Sequence, residues 1–254
     1  MKLRILGCSG GELPRHRTTC FLLDGVMAID AGALTASLPL EELLEVDDIV
    51  LTHSHFDHVK DVPLMADLLV GRRRRPLRVH ASRECARTLR RDVFNGRLWP
   101  DFTRIPDRRH PVLAIRPFEP ARPFRVGRYQ VRPVPVHHPV ESVGFLISDG
   151  RAAFAVSGDT GPTRRFWQAV GRRRDLKALL VEMSFPNFMQ ELADQSGHLT
   201  PNTLASELAK VDRNGCPVYL YHLKPAYEAE LKRDLARLRL AGVRVLAQGE
   251  EFVF

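Results

Sequence analysis

Short apolar runs separated by turn-forming residues predict that strands and helices alternate in the first half of the chain. Asp24-Gly25 lies between two such runs and predicts a hairpin turn. Residues 57–70 space their apolar positions as a helix does, and Ser82 is a candidate N-cap for a helix that extends to Phe94. The predicted strands of this half are "LRIL" (3–6), "TCFLLDG" (19–25), "VMAIDAG" (26–32), "DDIVLTH" (47–53) and "LRVHAS" (77–82).

The second half of the chain predicts a second set of strands. Residues 124–138 alternate apolar and polar positions as a hairpin does, and Asp149-Gly150 joins two apolar runs within residues 142–159 into another hairpin. Later apolar runs predict strands at "LKALLVEMSF" (176–185), "PVYLYHLKP" (217–225) and "VRVLA" (243–247).

Two helices accompany these later strands. Thr200 is a candidate N-cap and Pro201 a candidate first residue of a helix over residues 199–211. A further helix is predicted over residues 226–242, with the glycine at the end of that range as its stop signal. Each set of strands thus has its own helices. This predicts an α/β (α+β) protein in which two sheets pack together with helices outside, a four-layer αββα sandwich.

The composition is that of a globular protein with a core. Hydrophobic residues make up 44% of the 254 positions and charged residues 27%. No apolar run reaches the roughly 18 residues of a membrane span, so we expect no segment to cross a membrane. No linker divides the chain, so we expect residues 1–254 to form a single domain, and the scattered cysteines favour the cytoplasm. The cysteines form no C-x-x-C pair, which is typical of reduced, mostly buried thiols; they are Cys8, Cys20, Cys85 and Cys216.

The net charge of +8 and the isoelectric point near 9.7 favour partners that carry phosphate. Most basic residues are arginine, however, and a general arginine excess keeps a protein soluble without binding anything. The runs "GRRRRP" (71–76) and "GRRRD" (171–175) lie between turn residues and predict solvated loops. Nucleic acid is therefore a less favoured partner than a small anionic molecule.

Three histidines and an aspartate follow a predicted strand in "HSHFDH" (53–58). His53 and His55 alternate, so an extended segment places both on one face, whereas Asp57 and His58 lie in the turn and at the start of the next helix. Imidazole and carboxylate groups bind zinc and similar divalent ions. Two such sets in one short loop predict two adjacent metal ions, unless the segment is only a polar surface loop.

Further metal ligands must come from other parts of the chain. His138, Asp159 and His222 each stand where an apolar run stops. Because strand ends gather loops into one site, we expect these side chains to meet the "HSHFDH" segment. His137 and His138 are adjacent, and only one of them should be a ligand.

"HSHFDH" matches the H-x-H-x-D-H signature of the metallo-β-lactamase fold, and the later His, Asp and His follow in the order of that family. The resemblance covers essentially the whole chain and implies two divalent ions, zinc before manganese or iron. It also favours His138 over His137, because "HPVESVGF" is similar to a family segment in which a His precedes a Gly-aromatic pair by six positions. The implied ligands are His53, His55 and His138 for one metal, Asp57, His58 and His222 for the other, and Asp159 between them.

The fold hosts many activities, so further motifs must distinguish between them. β-Lactamases usually carry Cys where Asp159 stands, and the di-iron oxygen reductases carry a carboxylate where His55 stands. "LLVEMSF" and "GHLTP" are instead similar to paired motifs of the tRNA 3′-processing nuclease (tRNase Z) and of the class II cyclic-nucleotide phosphodiesterases. That resemblance implies that Glu182 orients His198 and that His198 protonates the leaving alkoxide.

Other segments separate these two families. The nuclease carries a long arm between the ligands that match His138 and Asp159, which here are only 21 positions apart and enclose a predicted hairpin. "FNGRLWPDF" (94–102), "EMSFPN" (182–187), "GHLTP" (197–201) and "YHLKP" (221–225) resemble segments of the class II phosphodiesterases. The resemblance thus implies hydrolysis of a 3′,5′-cyclic nucleotide such as cAMP or cGMP to the 5′-monophosphate. Its implied catalytic residues are Asp57, Glu182 and His198.

Two other functions stay open at this point. The positive charge would also suit a nuclease that acts on RNA or single-stranded DNA. A metal-binding protein with little or no catalysis is the other alternative. We expect a small phosphodiester as the main partner, nucleic acid as a less favoured one, and we allow for a homodimer.

Overall fold

Two seven-stranded sheets form the centre of the computed structural model, which describes residues 1–213 and 215–254. The first sheet has the order β14-β1-β2-β3-β4-β5-β6, with β1 (Lys2–Gly7), β2 (Cys20–Leu23), β3 (Met27–Ile29), β4 (Asp48–Val50), β5 (Leu77–Ser82), β6 (Leu113–Phe118) and, near the end of the chain, β14 (Glu251–Val253). The second sheet has the order β13-β12-β11-β10-β9-β8-β7, with β7 (Phe124–Val126), β8 (Tyr129–Pro135), β9 (Val143–Ser148), β10 (Ala153–Val156), β11 (Leu176–Glu182), β12 (Val218–Tyr221) and β13 (Val243–Val245).

Helices cover the outer face of each sheet. The first sheet is covered by α1 (Leu34–Ser37), α2 (Leu40–Glu45), α3 (Phe56–Val59), α4 (Asp61–Leu69) and α5 (Arg83–Thr88). The helices that follow the second hairpin region are α6 (Arg165–Gly171), α7 (Gln190–Ser196), α8 (Pro201–Leu208) and α9 (Glu228–Leu238), and α6, α8 and α9 pack on the second sheet. Among the described residues, no helix combines the length and the apolar composition that crossing a bilayer requires.

The alternation of side chains along the strands explains the layering. In β10, Phe154 and Val156 point into the apolar layer between the sheets, whereas Ala155 contacts the helix layer outside. Both faces of this sheet are therefore covered, and all six residues of β9 are buried. The predicted αββα sandwich is confirmed.

The predicted turns and caps are confirmed where local chemistry decides them. Asp24 and Gly25 both adopt positive φ angles, 49° and 75°, and join β2 to β3 as an antiparallel hairpin. The Asp149-Gly150 hairpin joins β9 to β10. Thr200 caps α8 by accepting a hydrogen bond from the backbone N–H of Thr203, and a proline occupies the first turn of that helix.

Several predicted boundaries are wrong, because long-range pairing overrides local pattern. The strand predicted to reach His53 ends at Val50, since the N–H of Thr52 donates to the carboxylate of Asp30 and not to a neighbouring strand. The helix predicted over 57–70 is divided into α3 and α4. The helix from Ser82 is α-helical only to Thr88 and then continues as a π-helical turn over Leu89–Val93.

The end of the chain also differs from the prediction. The helix predicted to continue to Gly242 ends at Leu238, because Arg239 adopts a left-handed conformation and the chain turns so that Leu240 packs on the core. The strand predicted over residues 243–247 forms β13 (Val243–Val245), but it is not the last strand, because β14 follows and pairs with β1. Strands β6 and β14 were not predicted, although each includes part of a short apolar run, "VLAI" (112–115) and "FVF" (252–254).

Candidate metal centre and active site

The predicted ligand residues gather at one edge of the sandwich, where strands of both sheets end. The "HSHFDH" segment follows β4, His138 follows β8, and Asp159 follows β10. His222 comes directly after β12 and has a positive φ of 68°. The register of the strands therefore brings side chains together that are up to about 170 positions apart in sequence.

A first group consists of His53, His55 and His138. One ring nitrogen from each lies within 4.8 Å of the others. Nδ1 of His55 is 3.1 Å from Nε2 of His138, and the ring centroids of His53 and His138 are 4.9 Å apart. Three ring nitrogens that converge in this way can bind one cation together.

A second group consists of Asp57, His58 and His222. Nε2 of His222 lies 3.3 Å from Oδ2 of Asp57 and 3.4 Å from Nε2 of His58. Nε2 of His58 lies 3.8 Å from the same Asp57 oxygen. Asp57 and His58 belong to α3, so the first turn of this helix presents both side chains to the centre.

Asp159 connects the two groups. Its Oδ2 atom lies 3.1 Å from Nε2 of His222, 3.2 Å from Nε2 of His58 and 3.8 Å from Nε2 of His53. Within the described part of the chain, Oδ1 of Asp159 and Nε2 of His53 are buried without a hydrogen-bond partner. An unsatisfied buried polar atom costs about 1–3 kcal/mol, which a divalent cation between these atoms would offset. The donor set of imidazoles and carboxylates therefore fits a pair of divalent ions.

Hydrogen bonds on the far side of the rings fix their orientation. Nδ1 of His58 contacts Oδ2 of Asp30 at 2.7 Å, and Nδ1 of His53 contacts the hydroxyl of Thr52 at 3.0 Å. Nδ1 of His138 donates to the backbone carbonyl of Gly197 at 3.0 Å. Histidine ligands of metals are commonly held in this way, because the remote bond fixes the tautomer and leaves the other nitrogen free to bind.

Sequence reasoning missed these supporting residues. Asp30 is 1% exposed and accepts from the N–H of Thr52 as well as contacting His58. The signal for Asp30 was present, since this aspartate ends the strand run "VMAIDAG" in the same way that Asp159 ends its own run. No comparable signal identified Thr52.

The charges of the centre favour ionised carboxylates. Burial by itself would raise the pKa of Asp159, but the imidazoles of His222 and His58 outweigh it and hold the pKa well below its usual range. Burial would likewise lower the pKa of His58, but Asp159 and Asp30 outweigh it and raise the pKa. Burial lowers the pKa of His53 well below its usual value, so this ring is neutral and keeps a lone pair for a cation.

Glu182 and His198 form a pair beside the ligand groups. Oε1 of Glu182 accepts from Nδ1 of His198 at 2.8 Å and from the backbone N–H of Thr160 at 3.0 Å. The ring of His198 stacks on that of His222 with centroids 5.3 Å apart, and it is grouped with His138 and Asp159 within 4.8 Å. Burial would lower the pKa of His198, but the carboxylate of Glu182 outweighs it and raises the pKa, which favours a protonated ring.

The remaining histidines lie apart from the ligand groups. His137 donates its backbone N–H to the hydroxyl of Thr160, and its ring joins none of the ligand groups found among the described residues. His16 contacts Glu228 at 3.0 Å, and His80 contacts Asp48 at 2.8 Å on β5. His110 is on the surface, where Asp107 is 3.5 Å away.

The sequence matches a family model described as the β-lactamase superfamily domain over residues 19–222. A Yersinia pestis protein named "Probable 3′,5′-cyclic-nucleotide phosphodiesterase" is 28% identical over 209 residues, which are 72% of this chain and 58% of that protein. "3′,5′-cyclic-nucleotide phosphodiesterase 1" of Saccharomyces cerevisiae is 25% identical over 248 residues, or 85% of this chain and 66% of that one. The chain thus spans about three fifths to two thirds of the length of these relatives.

Solved structures resemble the whole sandwich. Unliganded yeast PDE1 superposes with a TM-score of 0.80 at 21% identity and covers 98% of both chains. The short form of human tRNase Z superposes with a TM-score of 0.71 at 15% identity, covering 100% of this chain and 99% of the other. At these identities the likeness establishes the fold alone.

Proposed function

The chain belongs to the β-lactamase superfamily, and from that premise we propose that it is a metal-dependent phosphodiesterase that opens 3′,5′-cyclic nucleotides to 5′-monophosphates. Both curated relatives are named as cyclic-nucleotide phosphodiesterases, which supports this substrate class. The proposed ligands are His53, His55 and His138 for one metal, Asp57, His58 and His222 for the other, and Asp159 for both.

The observation that carries the proposal is the hydrogen bond between Glu182 and His198 beside these ligands. A pair of metals alone would suit many kinds of hydrolysis. A carboxylate-bound histidine with a raised pKa adds a proton donor, which matters most when the leaving group is a sugar alkoxide. The 3′ oxygen of a cyclic nucleotide is such a leaving group.

In the proposed reaction, the metal ions and the protein side chains have different roles. Two bound divalent ions would supply a nucleophile from water at neutral pH and neutralise charge on the phosphate. The bond between phosphorus and O3′ breaks as the bond from the attacking oxygen forms, and His198 gives its proton to O3′. Glu182 keeps the ring of His198 in the orientation and charge state that this transfer needs.

Two exposed phenylalanines support a substrate that carries a base. Phe56 is 70% exposed and stands between two proposed ligands, His55 and Asp57. Phe188 is 72% exposed, and Phe185 three residues before it has its ring centroid 5.7 Å from that of His198. Of the 13 phenylalanines, all of which are described, these two are the exposed ones. Phe56 adjoins proposed ligands in sequence, and Phe188 is three positions from a residue whose ring contacts His198; exposed aromatic rings so placed suit stacking with a nucleobase.

We expect Phe56→Ala and Phe188→Ala to weaken the use of base-bearing substrates selectively. Stacking of one base on an aromatic ring contributes about 1–3 kcal/mol, so kcat/KM for cAMP should fall roughly 5–150-fold, mainly through KM. The kcat/KM for methyl 4-nitrophenyl phosphate, which has no base, should change little. In the control variant Phe252→Ala, near the end of the chain, kcat/KM should change little for either substrate. Equal losses on both substrates would contradict a stacking role.

A substrate panel tests the proposed function. Purified protein with measured metal content is assayed on cyclic mononucleotides, cyclic dinucleotides and short RNAs, with and without a chelator. The proposal expects chelator-sensitive release of 5′-monophosphate from a 3′,5′-cyclic mononucleotide. Turnover of RNA alone, with a steep dependence on salt, would indicate a nuclease instead, and metal binding without any turnover would indicate a non-catalytic protein.

The nuclease alternative has one structural point against it. The interval between His138 and Asp159 holds the β9–β10 hairpin. The hairpin leaves no chain in this interval for the projecting arm expected of tRNase Z.

A further inference from the structure

The hydroxyl of Ser184 lies between the proposed proton donor and the proposed metal ligand His222. Ser184 is fully buried and comes two residues after Glu182, the last residue of β11. Its Oγ atom is 2.9 Å from Oε2 of Glu182 and 2.9 Å from Nδ1 of His222. It is also 3.2 Å from Nδ1 of His198. One hydroxyl therefore contacts all three groups.

The number of hydrogens decides which way these bonds run. A serine hydroxyl has one hydrogen to donate and two lone pairs that can accept. Oε1 of Glu182 already accepts from His198 and from a backbone N–H, and its Oε2 accepts the hydroxyl hydrogen of Ser184. With that hydrogen committed, Ser184 can only accept from His222, so Nδ1 of His222 must carry a hydrogen.

This tautomer suits a metal ligand. With hydrogen on Nδ1, the lone pair is on Nε2, and Nε2 of His222 lies 3.1 Å from Oδ2 of Asp159 and 3.3 Å from Oδ2 of Asp57. The opposite tautomer would place a hydrogen where the cation is expected. A ligand ring with the wrong tautomer has to lose that hydrogen before it can bind.

The backbone of His222 has an unusual conformation and is fixed by close contacts. Its φ of 68° is uncommon for a residue with a side chain. Its N–H donates to the carbonyl of Cys8 at 2.6 Å, and Gly10 packs so closely that an added Cβ would lie 2.4 Å from the carbonyl oxygen of His222. Contacts with Cys8 and Gly10 thus fix the main chain of His222, and Ser184 contacts its ring at Nδ1.

We propose that Ser184 is a positioning residue that couples the Glu182–His198 pair to the metal centre by fixing the tautomer of His222. The proposal rests on the proposed function in taking His222 as a metal ligand and His198 as the proton donor. It adds that a substitution of Glu182 changes the metal affinity, and that this effect is transmitted through the hydroxyl of Ser184.

The first test is the zinc affinity of Ser184→Ala, measured against a competing chelator without substrate. Removing such a supporting partner of a ligand should weaken zinc binding about 10–100-fold. Ser184→Thr, which keeps the hydroxyl, should restore most of the affinity. Ser148→Ala is the matched control, because Ser148 is also buried on the second sheet but accepts a backbone N–H in the β9–β10 hairpin. Wild-type affinity in Ser184→Ala would overturn the proposal.

The second test is a double-mutant cycle with Glu182→Gln. A glutamine amide can donate to Ser184, which would turn the hydroxyl hydrogen toward Nδ1 of His222 and favour the wrong tautomer. Glu182→Gln should therefore lower zinc affinity in the presence of Ser184 and have little effect in the Ser184→Ala protein. Additive losses would show that no coupling passes through Ser184.

The tautomer can also be observed directly. Two-bond ¹⁵N–¹H correlation spectra of the metal-free wild-type protein should show a hydrogen on Nδ1 of His222, whether or not Nε2, which faces Asp57 and Asp159, carries a second one. The His222 signals are assigned by comparison with His222→Gln. An Nδ1 of His222 without a hydrogen would overturn the proposal even if Ser184→Ala failed to fold. None of these readouts uses turnover. A protein with this zinc dependence that hydrolyses no phosphodiester would refute the proposed function alone, and an active enzyme indifferent to Ser184→Ala would refute this inference alone.

Discussion

Asp159→Ala is expected to abolish nearly all phosphodiester hydrolysis and to remove bound metal. The carboxylate lies between both ligand groups, with its Oδ2 atom 3.1 Å from Nε2 of His222 and 3.2 Å from Nε2 of His58. Without it, the rings of the two groups would face each other across the centre with one negative charge fewer. Losing the several kcal/mol that a metal pair supplies corresponds to a decrease in turnover of roughly 10³-fold or more.

The measurement is kcat together with metal content on the same samples. Asp149→Ala is the matched control, since Asp149 is an acidic residue at the tip of the β9–β10 hairpin, where it accepts hydrogen bonds from the backbone N–H groups of Arg151 and Ala152. This control should keep its metals and its turnover. An Asp159→Ala protein that retained two metal ions and wild-type turnover would refute the proposed centre.

His198→Ala is expected to reduce the turnover of substrates with a poor leaving group much more than the turnover of substrates with a good one. A general acid contributes about 10²–10⁴-fold, and that contribution is needed when O3′ of a sugar must leave as an alcohol. Turnover of cAMP should therefore fall by about this factor. A 4-nitrophenyl phosphodiester should lose far less, because nitrophenolate leaves without a proton. The metal content should stay close to that of the wild type, since the ring of His198 is proposed as a donor of protons and not as a ligand.

His110→Ala provides the control for this second experiment, because His110 is a surface residue next to Asp107. This variant should turn over both substrates at the wild-type rate. If His198→Ala lost the same factor on both substrates, protonation of the leaving group could not be its role. A simultaneous loss of metal would assign His198 to the metal centre instead.

Hydrophobic periodicity and turn-forming residues were sufficient to predict the layers of the fold, but not to predict where every strand and helix ends. The hairpins at Asp24-Gly25 and Asp149-Gly150 follow from local backbone preferences, and the structure confirms both. The strand end after Val50 depends on a bond from Thr52 to Asp30, which is 22 positions away. Strand β14 exists because it pairs with β1 at the other end of the chain. Neither partner can be identified from a local window of sequence.

For the site, residue type and position near strand ends, together with the resemblance to the family's motifs, selected the side chains that the structure brings together. The same strand-end criterion would also have selected Asp30, which contacts His58. The choice between the adjacent His137 and His138 rested on a resemblance, and the structure places only His138 among the ligand groups of the described residues. Ser184 gave no signal, because a serine has no chemical role until its neighbours in space are known.

The sequence by itself determined which imidazole and carboxylate side chains are proposed as metal ligands and that they lie near the ends of apolar runs, because ligand chemistry belongs to the residue and the strand pattern is local. Only the tertiary structure decided which ring nitrogen faces the centre, which oxygen lies between the two groups, and which hydroxyl links Glu182 to His222. Those features depend on hydrogen bonds between strands far apart in sequence, and the direction of such bonds is set only when the two sheets pack together.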